Sequence, residues 1–236
     1  LRGAGEFRLT DLEVTNVSPL TFSTVCVKNV GVYDTTWSWF HGEPLSFVRG
    51  LKDDGWRPTV VRAYYNGSEV HFAGVYVNNN GADSRNTDVL YGTADEVFSA
   101  MPKGYRPVTI SSTVDGAGNR VYAVLATENL ENYGWYWYYG VTADQIESFS
   151  LKGSRDDGSI LVDASADNND AMQLNVIYYV APSVPFADPW FSPSVASIRS
   201  NASSAGDRAI FLTSWTLHGT GTADGDTQWL TTFVDN

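Results

Sequence analysis

The feature that most constrains this chain is a Gly-x-Arg mark that returns about every 50 residues. Its copies are Gly55-Trp56-Arg57, Gly104-Tyr105-Arg106, Gly153-Ser154-Arg155 and Gly206-Asp207-Arg208, with a looser Gly5-Glu6-Phe7-Arg8 ahead of them. The spacings are 50, 49, 49 and 53 residues. Upstream of the mark runs an aromatic stretch that ends in glycine: Trp39-Phe40-His41-Gly42, Leu90-Tyr91-Gly92 and Tyr138-Tyr139-Gly140, with a degenerate Trp190-Phe191-Ser192. After each comes a helix-start signal: Pro44, Thr93 with Glu96, Thr142 with Gln145, and Ser192-Pro193. Such residues satisfy or remove the orphan N–H groups of a first helical turn. A repeat of about 50 residues is too small to bury a core of its own. The 236 residues therefore read as one domain with repeats at 5–54, 55–103, 104–152, 153–205 and 206–236.

Between the marks the periodicity is that of strands. Trp37, Trp39 and His41 alternate with Ser38 and Phe40, a period of two. Thr59–Tyr65, Asn66-Gly67 and Glu69–Val77 read as strand, turn and strand. The pattern recurs in Val108–Ser112 with Arg120–Thr127, Ile160–Ala164 with Met172–Val180, and Ala209–Thr216 with Thr227–Val234. An aromatic content of 14% suits pleated, half-buried surfaces. The expected fold is all-β: a five-bladed β-propeller with a short helical turn per repeat, or four-bladed if the first and last copies share a blade. The short last copy predicts that N- and C-terminal strands close the ring in one sheet. An open solenoid is the alternative.

Charge and composition narrow the function. A formal net charge of −12 repels phosphate backbones, which argues against nucleic acid. No apolar run reaches membrane-spanning length. Cys26 is the one cysteine and reads as a small buried residue of the strand Phe22–Val27. Asn16, Asn66 and Asn201 each begin an Asn-x-Ser sequon. With few lysines and one cysteine, they predict a secreted, glycosylated monomer, whose mature form would start without a signal peptide.

The chemistry-bearing residues form no catalytic set. His41, His71 and His218 lack metal-ligand spacing, and there is neither a Ser-x-x-Lys pair nor a Gly-x-Ser-x-Gly elbow. Asp163-x-Ser165-x-Asp167 lacks the glycine and terminal glutamate of a calcium loop. No catalytic residue, metal or cofactor is therefore expected. A propeller glycosidase with paired carboxylates is the enzymatic alternative. The binding candidates are the rings of Trp37, Trp39, Tyr91, Trp135, Trp137 and Tyr139, since exposed Trp and Tyr grip sugar faces and peptides. The competing reading makes them core between blades. The Gly-x-Arg mark reads as structural, its glycine at positive φ and its arginine bridging to a carbonyl or a carboxylate such as Asp54 or Asp157.

Gly104-Tyr105-Arg106-Pro107-Val108, the run ending Tyr138-Tyr139-Gly140 and the period near 50 resemble the tandem-repeat N-terminal domain of secreted fungal polyglycine hydrolases and related bacterial repeat proteins. In that family the domain precedes a β-lactamase-like domain with a Ser-x-x-Lys nucleophile. The resemblance implies a non-catalytic accessory propeller that places an enzyme near its target, with an extracellular polysaccharide or glycoprotein as the expected partner.

Overall fold

A computed structural model describes residues 7–31, 34–81, 84–142, 144–146, 148, 159–166, 173–180, 189–192, 208–209, 213–216 and 227–234. Of residue 160 and of the stretches beyond 180 it describes the backbone. The chain divides into two compact units, Leu1–Asn132 and Tyr133–Asn236.

In the first unit, β1 (Phe7–Val17) and β2 (Leu20–Lys28) form a two-stranded sheet. Strands β3 (Trp37–Glu43), β4 (Trp56–Tyr65) and β5 (Val70–Asn78) form a second sheet in the order β3-β5-β4. Strands β6 (Thr87–Gly92), β7 (Tyr105–Val114) and β8 (Arg120–Glu128) form a third in the order β6-β8-β7. In the second unit, β9 (Gly134–Val141), β10 (Ser159–Ala166) and β11 (Leu174–Val180) follow the order β10-β11-β9. The last sheet runs β12 (Pro189–Ser192), β15 (Thr227–Val234), β13 (Arg208–Ala209), and β14 (Thr213–Thr216) also pairs with β15. Every pairing is antiparallel. The chain is thus mostly β, in five small sheets among the described residues.

The sheets and the sequence repeats differ in phase. Each repeat gives its hairpin to one sheet and its aromatic strand to the next, so β3 joins β4 and β5 rather than β1 and β2. Three or four strands obey one order: aromatic strand, second hairpin strand, first hairpin strand. Among the described residues the first and last strands each pair within their own unit. β1 pairs with β2, and β15 is the middle strand of its own sheet. The expected joint closing sheet is therefore absent among the described residues.

Local chemistry explains the connections. Helix α1 (Leu45–Gly50) follows β3 and runs into a 3-10 turn at Leu51–Asp54. Helix α2 (Ala94–Ala100) starts at a full capping box, with the Glu96 N–H donating to Thr93 Oγ1 and the Thr93 N–H to the Glu96 carboxylate. Thr142 and Gln145 form the same box ahead of the helical residues 144–146. Each turn drives one aliphatic anchor inward: Val48, Val97 and Ile146, all at most 2% exposed. The Gly-x-Arg glycines then lead into the hairpin in the left-handed region, Gly55 at φ 75° and Gly104 at φ 81°. Their carbonyls accept the N–H groups of Asn79 and Asn129 at 2.9 Å. Asn79 also brackets its loop, donating to the Arg85 carbonyl and accepting the Arg85 N–H, and Asn29 does the same with Thr35.

Side chains seal the outer edge of β4. Thr109 Oγ1 of β7 accepts the Val61 N–H, and Ser111 Oγ accepts the Ala63 N–H at 2.9 Å. Groups that would recruit a foreign strand are satisfied in this way. One core cluster joins Phe40, Val48, Val61 and Phe72 to Val89, Ala123 and Leu125, and another joins Leu12 and Val14 to Trp37, Val60 and Val75. Cys26 departs from the expectation of burial. It is exposed, because nothing among the described residues covers that face of β2 as α1 and Phe40 cover β5.

Gly74 carries the tightest of these contacts. It pairs with Val61 and Phe40 across β5. A Cβ there would fall on the Val60 carbonyl oxygen and lie 2.8 Å from Phe40 Cζ. Gly74→Ala is expected to cost about 1–3 kcal/mol through overpacking, read as a lower urea midpoint with an unchanged slope.

Candidate functional site

The aromatic strands have two fates. On β3, Trp37 is 7% exposed and packs among Leu12, Val60, Ala73 and Val75. It is a core residue and not the exposed ring expected of a binding site. Trp39 is half-buried, edge-on to Phe22 at 5.9 Å and close to His41 at 5.1 Å. On β6, Tyr91 is half-buried and meets the Phe72 ring edge-on at 5.6 Å. Burial pushes its hydroxyl pKa up, and the charge of Asp115 adds to the effect. These strands spend their rings on packing between sheets.

Strand β9 spends them differently. It lies at the edge of its sheet, with β11 on one side. Trp135 and Trp137 share one face, half-buried, with rings edge-to-face at 6.1 Å. Tyr136, Tyr138 and Tyr139 are 46%, 37% and 54% exposed. Tyr138 leans on Tyr178 of β11 at 6.3 Å.

A bulge explains why two adjacent tyrosines both face solvent. The register runs Tyr138↔Val176 and then Val141↔Leu174, so β9 spends one residue more than its partner. Gly140 sits in that bulge at φ 66°. The extra residue breaks the alternation and turns Tyr139 outward beside Tyr138. The same irregularity occurs in β3 between Phe40 and Glu43, with Gly42 at φ 71°. The aromatic-glycine mark thus carries a bulge in two of its copies, at Gly42 and Gly140, while β6 runs through Tyr91 and Gly92 in unbroken register. Of the residues singled out from the sequence, Trp135, Trp137 and Tyr139 come together on β9, while Trp37, Trp39 and Tyr91 do not join them. Tyr136 and Tyr138 belong to the exposed set as well; alternation alone puts them on the face opposite Trp135 and Trp137 and does not tell which face is open.

One arginine of the mark, Arg106, makes a carboxylate bridge, to Glu131 rather than to Asp54 or Asp157, and shares it with Arg85. Arg85 forks onto Glu131, donating from Nη1 to Oε2 at 2.8 Å and from Nη2 to Oε1. Arg106 Nη2 lies 3.3 Å from the same Oε2. Arg85 first, and Arg106 after it, hold the Glu131 carboxyl down from 4.5 to about 2. A lowered folded-state pKa contributes stability that is present above the unfolded value near 4.5 and is lost as pH falls through about 2. Glu131→Gln is expected to cost at most about 1 kcal/mol at neutral pH, since the pair is partly exposed. The difference from the parent shrinks to nothing toward pH ~2, and urea midpoints across an acid series measure it.

The sequons at Asn16 and Asn66 sit at exposed hairpin tips. Asn16 Oδ1 accepts the Ser18 N–H at 3.0 Å, and Asn66 Oδ1 accepts those of Ser68 and Glu69 at 2.8 and 3.0 Å. Asp115 holds the next hairpin tip the same way, through the Ala117 and Asn119 N–H groups. Turn geometry thus accounts for both asparagines independently of any glycan. Asn201, His218, Asp157 and Asp167 lie outside the described residues. Asp163 and Ser165 are buried within β10, 2% and 0% exposed, and not in a loop. Among the described residues no three His, Cys, Asp or Glu side chains cluster as metal ligands.

Comparison with known proteins follows the same period. A search of the curated proteins gives no match. The family of the polyglycine hydrolase-like structural repeat matches residues 46–79 and 96–126. These stretches begin 50 residues apart, and each runs from a short helix through the Gly-x-Arg turn into a hairpin. The chain carries the polyglycine hydrolase-like structural repeat in at least these two successive copies.

Proposed function

We propose that this chain is a secreted, non-catalytic accessory domain that holds an extended extracellular polysaccharide or glycoprotein on the aromatic edge of β9. We further propose that its five sheets are the blades of a β-propeller. The single strand order repeated through the sheets supports that architecture. The observation that carries the binding reading is the row of exposed tyrosines, Tyr136, Tyr138 and Tyr139, beside the half-buried Trp135 and Trp137. A solvent-facing aromatic row on a rigid strand suits stacking on sugar rings or gripping a peptide. The carboxylates already engaged by arginine support a non-catalytic role. Arg106 and Arg85 neutralise Glu131, and Arg62 neutralises Asp11 and Glu13.

Affinity electrophoresis and a glycan array on the intact chain test the reading. Tyr139→Ala is expected to weaken retention about 5- to 10-fold, in the range of one interface aromatic, with the melting temperature unchanged. Trp135→Ala is expected to weaken binding as well, with some loss of stability because its ring is half-buried. Retention identical to the parent in Tyr136→Ala/Tyr139→Ala, or silence across polymers, removes the β9 surface from consideration.

A further inference from the structure

Strands β2, β5 and β8 are the same element three times. Each has nine residues, and they start at Leu20, Val70 and Arg120. Their registers agree: Arg8 faces Val27, Arg57 faces Val77, and Arg106 faces Thr127. On their other edge β5 and β8 carry the aromatic strands β3 and β6, and the corresponding β11 carries β9. Among the described residues β2 pairs with β1 alone.

Burial repeats the same message independently. The residue facing Phe40, Leu90 or Tyr138 is Gly74, Val124 or Val176, and all three are buried. Their counterpart in β2 is Thr24, which is exposed. The residue facing Ser38, Asp88 or Tyr136 is Tyr76, Ala126 or Tyr178, half-buried to fully buried. Their counterpart is Cys26, which is exposed. Among the described residues no strand lies along that edge of β2, and Thr24 and Cys26 on the matching face are exposed.

We propose that the β2 edge is a strand-addition site for a partner polypeptide, taken by an antiparallel segment of the aromatic-glycine type. The recognition is main-chain ladder bonding for affinity and alternate side chains for specificity. The three complete sheets define the chemistry of the guest. Its large apolar residue lies over Thr24, as Phe40 lies over Gly74, and a glycine follows two residues on, as Gly42, Gly92 and Gly140 do. Register is fixed as well, so the guest residue in the place of Ser38 stands opposite Cys26. Directly opposed residues of an antiparallel pair have Cα atoms about 4.5–5.5 Å apart, inside the span a disulfide bridges.

The test uses the intact chain and its one cysteine. Two peptides with the β3 sequence Trp37–Glu43 are made, one with Ser38→Cys and one with Trp39→Cys, each as the mixed disulfide with thionitrobenzoate. The Cys26 thiolate attacks the peptide sulfur, one S–S bond forms, one breaks, and thionitrobenzoate leaves with the electron pair. The expected result is coupling at least tenfold faster with the Ser38→Cys peptide, a preference lost in denaturant and absent in Cys26→Ser. Equal rates for the two peptides overturn the proposal. So does a protein that sediments as a dimer with Cys26 protected before any peptide is added, since the edge is then filled by a second copy.

Discussion

Arg62→Ala is expected to cost about 3–5 kcal/mol, the loss that follows when one partner of a buried ion pair is removed. Arg62 is 1% exposed and reaches from β4 to strands of two other sheets. Its Nε donates to the Leu12 carbonyl at 3.1 Å, its Nη1 to the Ile110 carbonyl at 3.0 Å, and its Nη2 to Asp11 Oδ1 at 3.1 Å. Glu13 Oε2 lies 2.8 Å from Nε. That N–H points at Leu12, so Glu13 is attracted by charge more than by a directed hydrogen bond. Truncation takes away the guanidinium that Asp11 and Glu13 face at 2% and 5% exposure, and removes one donor each from the Leu12 and Ile110 carbonyls. The cost of removing a buried cation from two buried carboxylates exceeds the packing lost. Arg62→Met combined with Asp11→Asn and Glu13→Gln is therefore expected to recover part of the loss, measured by urea midpoints. A single Arg62→Ala that melts like the parent would show that the fork contributes nothing net.

The sequence made the hairpins legible and left their partners hidden. Thr227–Val234 and Thr87–Gly92 are strands to the expected end, and the Thr93 and Thr142 boxes start helical turns where capping chemistry places them. Those are local signals. The phase of the sheets is not local. A period of two says which side chains share a face, but not which strand lies alongside, so β3 was grouped with the hairpin before it rather than the one after. The same blindness separates Trp37 from Tyr139. Both sit on aromatic strands, yet one is sealed beneath β1 residues such as Leu12, and the other is turned out by the bulge at Gly140. Two signals were present and informative. Asn29, Asn79 and Asn129 recur at spacings of 50, and two of them bracket equivalent loops. The Gly42 and Gly140 bulges account for two copies of the aromatic-glycine mark. The Arg62 fork had no such signal, because the matching places in β1 and β7 hold Glu13 and Ser111, three different chemistries in one column.

Deleting Thr227–Asn236 is expected to abolish the cooperative unfolding of the Tyr133–Asn236 unit rather than trim it. The reason lies in the position of β15. It pairs with β12 from Pro189↔Thr232 to Ser192↔Trp229, with β14 from Thr213↔Leu230 to Thr216↔Thr227, and with β13 at Arg208↔Val234 and Ala209↔Phe233. None of β12, β13 and β14 pairs with another of the three. An edge strand removed from a sheet leaves the remaining ladders intact. Removal of β15 leaves no ladder among the described strands of that sheet, and the short strands it held expose backbone groups that invite aggregation. Each 1 kcal/mol shifts the melting temperature by roughly 4–8 °C in a domain of about 100 residues, and a domain of that size holds about 5–15 kcal/mol in total. Loss of a whole sheet is of that order, so the unit's transition should broaden or vanish in calorimetry and its amide protection on β10 and β11 should fall. Ala209→Pro, which touches only the two-residue β13 ladder, should lower the midpoint by a few degrees and keep the transition sharp. A deletion that melts at the parent temperature would mean that β10 and β11 stand without β15.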